Sequence, residues 1–267
     1  MFQSTHYQAI FALHQLHDFD AIWAREIDWF EAPNERRGGW SGVGRLQLET
    51  PDGLPLRVFV KKQQNHGRFS LRNPIAGEPT FRREFEHLTS LEERAFNAPR
   101  VVFYGEQATK KRSRAILITV ELTGYIPLDA LSHQLATEQN MNPQQKRILL
   151  TSMASTLRSF HQLNLMHRAL YPKHIFVATA HTAPEIALID LEKARFSPIF
   201  WNNAYFDLAA LNRHAELWRR TERLYFFKQY CQLQRLTGFS KWLCRLIIKR
   251  SMRKNVAQKA RGNLVAV

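Results

Sequence analysis

The residues best suited to chemistry crowd into the stretch Leu165–Arg195. His167, Arg168, Lys173 and His174 precede a short apolar run, Ile175–Val177, and Asp190 and Glu192 follow a second, Ile186–Ile189. Both runs are β-like, so the pattern predicts a polar loop, a strand, a turn and a second strand that ends in a carboxylate. Such a layout can hold a metal–phosphate complex. A second pair of charged groups lies far upstream. Lys61 ends the alternating run Val58-Phe59-Val60-Lys61, and Glu84 follows it by 23 residues. Alternation sends Lys61 to the face opposite Val60 and Lys62, so only one of the two lysines can enter a cleft. Phe81, Phe85, Leu88 and Leu91 fall at helical spacing around Glu84. A helix carboxylate of that kind can hold a strand lysine rigid for phosphate contact. The plainer alternatives are solubilising lysines on an edge strand and a surface helix with charge pairs among Arg82, Arg83 and Glu86.

The elements that must position these groups follow the same patterns. Residues 1–35 read as an extension with apolar residues near helical spacing. Gly38, Gly39, Gly42 and Gly44 predict a sharp turn that either closes on a ligand or simply reverses the chain. Arg45–Glu49 and Leu56–Lys62 then form a hairpin around Pro51-Asp52-Gly53. Two further strands, Pro99–Gly105 and Ala115–Val120, are joined by the basic turn Lys110-Lys111-Arg112 and run into a hinge at Glu121-Leu122. Backbone groups of a hinge can bind an adenine edge. Leu128–Leu135 is a short helix, and a long one, opened by Asn142-Pro143, delivers the chain to His167. Asp207 reads first as the N-cap of a further helix, with a buried carboxylate tying down the polar loop as the alternative. Thr221–Leu236 and Ser240–Arg253 are helical and basic. The implied division is an extension (1–35), a β-rich lobe (36–122), a helical lobe (123–236) and a basic tail (237–267).

Composition bounds the function. The net charge of +15 is concentrated at the end, where Arg223–Val267 holds eleven Lys or Arg and no Asp or Glu. A tail of that kind favours phosphate-rich partners. Nucleic acid is disfavoured, because Phe226, Phe227, Tyr230 and Trp242 fall at helical spacing with leucines, as core residues do. Cys231 and Cys244 lack metal-type spacing and read as free, buried or half-buried thiols. The N-terminus lacks a signal-peptide pattern and no window is apolar enough to span a bilayer, so the expectation is a cytoplasmic protein.

The run His167-Arg168-Ala169-Leu170-Tyr171-Pro172-Lys173-His174 resembles the catalytic loop of protein-kinase-like phosphotransferases. Their pattern is H-R-D-x-x-x-x-N, followed by a hairpin and a metal-binding Asp. Ala169 stands where the catalytic Asp is expected, and His174 where the Asn is. The phrases GGWSGV, REFEHL, HRALYPKHIFV and IDLEKAR are similar to those of the lipopolysaccharide kinase (Kdo/WaaP) family, InaA-like branch, over about residues 33–235. That resemblance implies an α+β, two-lobed protein-kinase-like fold, with a small β-rich N-lobe and a larger helical C-lobe. It implies ATP and Mg²⁺ as cofactors and a bacterial, inner-face location. The acceptor it implies is a lipopolysaccharide core sugar or similar glycolipid, with the basic tail touching anionic membrane. By the same resemblance Lys61 contacts phosphates and Glu84 orients it. Gly39, Ser41 and Gly42 cover them, and Glu121 and Leu122 form the nucleotide hinge. Asp190 and His174 hold the metal, and His167 and Arg168 support the loop. By their place in the sequence, Glu192, two residues after Asp190, and His174 are the candidates to substitute for the missing base. The alternative implied by Ala169 is a nucleotide-binding pseudokinase acting as a switch or scaffold.

Overall fold

Alternation along residues 56–64 divides the first part of the chain into two layers. Val58, Val60 and Lys62 point to one face of a sheet, while Phe59, Lys61 and Gln63 point to the other. The structure is a computed structural model that describes residues 1–30, 32–36, 39–68, 78–109, 112–137, 141–179 and 183–265; side chains are not described at Arg36, Arg68, Asn255 and 257–265. Part of the glycine run (Gly38) and of the basic turn (Lys110, Lys111) expected from sequence lies outside these residues. The chain divides into two compact units, Met1–Thr123 and Gly124–Val267.

The first unit runs β1 (Phe2–Gln3), α1 (Gln8–Leu13), α2 (Phe19–Ala24), β2 (Asp28–Trp29), β3 (Asn34–Arg36), β4 (Gly39–Glu49) and β5 (Pro55–Gln64). It continues β6 (Gly67–Arg68), β7 (Glu78–Pro79), α3 (Thr80–Glu93), β8 (Val101–Ala108) and β9 (Ser113–Val120). Its main sheet is antiparallel, in the order β1-β8-β9-β5-β4-β2, with β3 also paired to β4. The β4–β5 turn places Gly53 at φ +76°, a left-handed conformation that glycine adopts without a Cβ penalty. Residues 1–35 do not stand apart as an extension. Tyr7, Ile10, Phe11, Leu16, Phe19 and Ile22 join Val58, Val60, Phe103, Ile116 and Ile118 in one buried cluster. Burying that apolar surface is what fixes α1 and α2 to the sheet.

The second unit runs β10 (Ile126–Pro127), α4 (Leu128–Thr137), α5 (Pro143–Gln162), β11 (Leu165–Met166), β12 (Ile175–Ala178) and β13 (Glu185–Leu188). Then come β14 (Arg195–Phe196), α6 (Phe200–Arg213), α7 (Arg220–Cys231) and α8 (Gly238–Val265). A capping box opens α5, with the Asn142 side chain accepting from Gln145 N–H and the Gln145 side chain accepting from Asn142 N–H. Strands β10, β12 and β13 form a small sheet, and β11 pairs with β14. Helix α7 packs on α5, and α8 packs on α6 through Leu243, Ile247 and Ser251. The basic tail is therefore a helix docked on this unit along one side. Both cysteines are free, Cys231 buried and Cys244 half-buried. No helix among the described residues is long and apolar enough to cross a membrane.

Candidate active site

In the first unit Lys61 leaves β5 on the face that α3 covers. Its Nζ donates to both Glu84 carboxylate oxygens at 2.7 Å. Glu84 is almost wholly buried and Lys61 retains 17% of its side-chain exposure. The ammonium is thus held by both Glu84 oxygens and keeps partial exposure. Gln63, next but one on the same face, fixes the start of α3 by accepting from Thr80 O–H and Phe81 N–H. Lys62 does something different. Its Nζ reaches through the opposite face to the carbonyls of Trp23 and Arg25, at the C-terminal end of α2. A cation there satisfies carbonyls that a helix end leaves without partners. Burial lowers its pKa to about 8.

The glycines are placed otherwise than expected. Gly39, Ser41 and Gly42 lie inside β4, in register with β3 and β5, and do not form a turn. A Cβ on Gly42 would sit 2.5 Å from the Trp29 ring, and one on Gly39 would sit 2.2 Å from the Asn65 carbonyl oxygen. Close approach by the chain's own atoms accounts for both residues. Gly42 pairs with Lys62 and so belongs to the face opposite Lys61, whereas Ser41 pairs with Gln63 and shares the Lys61 face. At the hinge, the Glu121 side chain is bridged to Arg45 at 2.9 Å and Arg57 at 3.2 Å. Its backbone N–H donates to the Arg57 carbonyl, and its carbonyl accepts from Thr123 N–H. Glu121 therefore has no N–H to offer an adenine edge.

In the second unit the polar loop is tied down by Asp207. The carboxylate is wholly buried and accepts the backbone N–H of His167 at 2.6 Å and of Arg168 at 2.8 Å. His161 Nε2 donates to the same carboxylate at 3.2 Å, and Tyr230 O–H donates to His161 Nδ1 at 2.7 Å. Asp207 is not an N-cap. Helix α6 begins at Phe200, so Asp207 sits in its middle. Clamping lets Arg168 adopt φ +64°, and Asp190 also lies in the left-handed region at φ +59°. Non-glycine residues in that region carry strain that surrounding structure must offset, and such residues cluster at functional sites.

Two imidazoles fill the space between loop and hairpin, stacked with centroids 6.0 Å apart. His167 Nε2–H donates to the Ile189 carbonyl, which leaves Nδ1 a buried acceptor without a hydrogen-bond partner among the described residues. Burial holds its pKa below the ordinary value, against the opposing pull of Asp207. His174 Nδ1–H donates to the Ala169 carbonyl at 2.8 Å, so Nε2 faces Asp190 Oδ2 at 3.2 Å. Burial lowers this pKa too, with Asp190 opposing. Ala169 is buried, its carbonyl accepting from both His174 and Tyr171 N–H. Glu192 lies half-buried in the 3-10 turn that follows Asp190. The donor set of Asp190 and His174 is one carboxylate and one imidazole nitrogen. Among the described residues no group of three or more His, Cys, Asp and Glu could hold an ion. Two protein ligands fit a cation whose other positions are filled by phosphate and water, and they do not fit an all-protein cage.

Sequence reasoning missed His161 and Tyr230 as members of this network. A histidine in the last turn of the helix leading to the loop was the only local signal. Tyr230 is fully buried against His161 and Phe227 is buried too, which removes both from any aromatic nucleic-acid surface. Trp242 remains half-exposed.

An antiparallel sheet carrying a lysine held by a helix glutamate, followed by a helical unit with a carboxylate-anchored loop and a hairpin ending in Asp190, defines a protein-kinase-like phosphotransferase fold. The sequence pattern of the lipopolysaccharide kinase (Kdo/WaaP) family matches residues 20–230, and the chain belongs to that family. It is 33% identical to Protein InaA of Escherichia coli (strain K12) over 178 residues, 67% of this chain and 79% of that one. Among solved structures, WaaP in complex with acyl carrier protein shares the fold. The TM-score is 0.64 at 22% identity, over 94% of this chain and 98% of that chain.

Proposed function

We propose that the protein transfers the γ-phosphoryl group of ATP to a hydroxyl of a lipopolysaccharide core sugar or similar glycolipid, with Mg²⁺ as the accompanying ion. The observation that carries this reading is the Lys61 ammonium held by both oxygens of a nearly buried Glu84. In the proposed roles Lys61 contacts the α- and β-phosphates, oriented by Glu84. Asp190 and His174 hold the ion, which when bound offsets negative charge on the phosphates. Asp207 fixes the backbone of His167 and Arg168, so the loop need not reorganise during transfer. His167 stays neutral and braces the hairpin through Ile189. Ser41 and Leu122 are the strand and hinge residues offered to the nucleotide. Phosphoryl transfer relies mostly on positioning and charge neutralisation, so an alanine at position 169 slows it without forbidding it. General-base assistance is worth roughly 10²–10⁴-fold. His174 Nε2 and Glu192 are the candidate proton acceptors.

A second reading, a nucleotide-binding pseudokinase acting as a switch or scaffold, is favoured by Ala169 alone. Peripheral contact with anionic membrane is supported by exposed aromatics that touch on α6 and α8. Trp201 and Phe239 lie 5.1 Å apart, and Phe239 and Trp242 5.7 Å apart, beside the basic positions Lys241 and Arg245. The test is calorimetric binding of ATP–Mg²⁺ to the native chain, Lys61→Ala and Asp190→Ala, followed by turnover with lipopolysaccharide core acceptors. Binding weakened in both variants, with turnover, is the expected result. Binding without turnover on any acceptor selects the pseudokinase, and no binding by a folded native chain overturns both readings.

A further inference from the structure

A small polar cavity of about 260 Å³ lies within the second unit, between the loop, β14, α6 and α8. Arg168, Arg195, Arg213, Arg250 and Lys254 all line it, and no carboxylate does. None of the five forms an ion pair among the described residues. The guanidiniums are instead held by uncharged neighbours. Arg250 stacks 4.2 Å over Phe206 and 5.2 Å over Tyr205, and Arg213 lies 5.6 Å over Tyr171 while donating its Nε–H to His214 Nε2 at 3.2 Å. Arg195 Nη2 rests 3.9 Å from Met166 Sδ, and the Arg168 backbone is pinned by Asp207. Stacking on a ring face leaves the in-plane N–H groups of a guanidinium free to donate. Five like charges converging on one cavity repel each other, and an anion is what relieves that repulsion.

We infer that this cavity is an anion subsite that takes a phosphate or pyrophosphate group borne by the acceptor sugar, next to the Arg168 loop. The inference rests on the proposed function for the identity of the molecule carrying the phosphate. The geometry selects the class. Planar forks from several directions suit phosphate oxygens. The volume falls below the roughly 300–1,000 Å³ of sites that enclose a drug-sized ligand, so a charged group enters and the sugar remains outside. The protein would then select acceptors that are already phosphorylated near the hydroxyl to be modified. The class of reaction that supplies its substrate would itself be a phosphorylation.

The test is calorimetry on the full chain at about physiological ionic strength, where purely surface attraction is screened. The probes are glucose 1-phosphate, inorganic pyrophosphate and glucose. The two phosphorylated probes bind and glucose does not. Arg213→Gln and Arg195→Gln each weaken that binding about tenfold or more, the loss expected of one charge-assisted contact. An unchanged thermal midpoint shows that each variant is folded. Lys61→Ala retains phosphosugar binding, so a failure of the ATP site and a failure of this subsite give different results. Equal affinity for glucose, or phosphate binding that ignores both arginine variants, overturns the inference. So does binding confined to phosphatidylglycerol vesicles or to single-stranded DNA with the soluble phosphates ignored.

Discussion

His174 presents Nε2 to Asp190 Oδ2 at 3.2 Å while its Nδ1–H is committed to the Ala169 carbonyl. A neutral imidazole in that tautomer sets a lone pair against a carboxylate, and a cation complements the pair. Because one donor is nitrogen, ions that take imidazole readily gain more from the pair than Mg²⁺ does. ATP should therefore bind more tightly with Co²⁺ than with Mg²⁺, and His174→Asn should shrink that ratio. Calorimetry with each ion decides it. An equal ratio in the native chain and the variant removes His174 from the ligand set.

Asp207 satisfies the buried N–H of His167 and the part-buried N–H of Arg168, as well as His161. Asp207→Ala orphans both donors, and each buried unsatisfied group costs about 1–3 kcal/mol. The expected loss is about 3–5 kcal/mol, read from the urea midpoint. Asp207→Asn keeps one acceptor oxygen and should lose less. Equal losses would mean that the N–H contacts contribute little.

The loop histidines make stability depend on acid in a defined window. Burial lowers the pKa of both His167 and His174 from the ordinary 6.5. The folded state thus favours the neutral rings, and their contribution is complete above about pH 6.5. It is lost as the pH falls from there through the lowered values, because the unfolded chain takes up protons more readily. Urea denaturation at about pH 7.5 and about pH 5.5 should show the native chain losing stability, and His167→Gln losing less of it. Parallel losses in both chains would place the acid sensitivity elsewhere.

The Lys61–Glu84 pair was legible because two local periodicities fix it. Alternation chooses the face of the lysine, and the stripe Phe81, Phe85, Leu88 and Leu91 orients the helix. Asp207 was misread for the converse reason. An aspartate near a helix start reads as a cap, but α6 begins seven residues earlier at Phe200, behind Ile199, which makes no side-chain cap. The partners of Asp207 lie about 40 residues upstream, and no local pattern reports a contact at that separation. The glycine run failed similarly. Its meaning comes from Trp29 and Asn65 on neighbouring segments, so a rule about turns could not supply it.

That placement gives the glycines opposite expectations. Gly39→Ala forces a Cβ against the Asn65 backbone, which cannot swing away, and should destabilise by about 1–3 kcal/mol. Gly42→Ala meets the Trp29 side chain, which is partly exposed and can move, so its cost should be smaller. Since Gly42 belongs to the face opposite Lys61, ATP affinity should change less than about twofold, well under the 1.4 kcal/mol that marks a tenfold effect. Thermal denaturation and calorimetry separate the two. A Gly42→Ala chain of native stability that binds ATP much more weakly would restore the phosphate-covering role.

Lys61 and Glu84 form a largely buried ion pair, and breaking one partner of such a pair costs about 3–5 kcal/mol because the other is left as an uncompensated charge. Lys61 keeps some exposure, so Glu84→Gln should fall at or below the lower end of that range, while Lys61→Met leaves the deeper Glu84 carboxylate alone and should cost more. The double variant removes both charges and should lose less stability than the sum of the two single changes, the coupling a double-mutant cycle isolates. Nucleotide binding should behave differently. Lys61→Met and the double variant both lack the ammonium and should bind ATP equally weakly, whereas Glu84→Gln keeps a mobile ammonium and should show an intermediate affinity. Stability recovered in the double variant without recovered binding would separate the structural part of the pair from its phosphate-binding part. Additive stability losses would show that the two side chains act independently, and the orienting role of Glu84 would then fall.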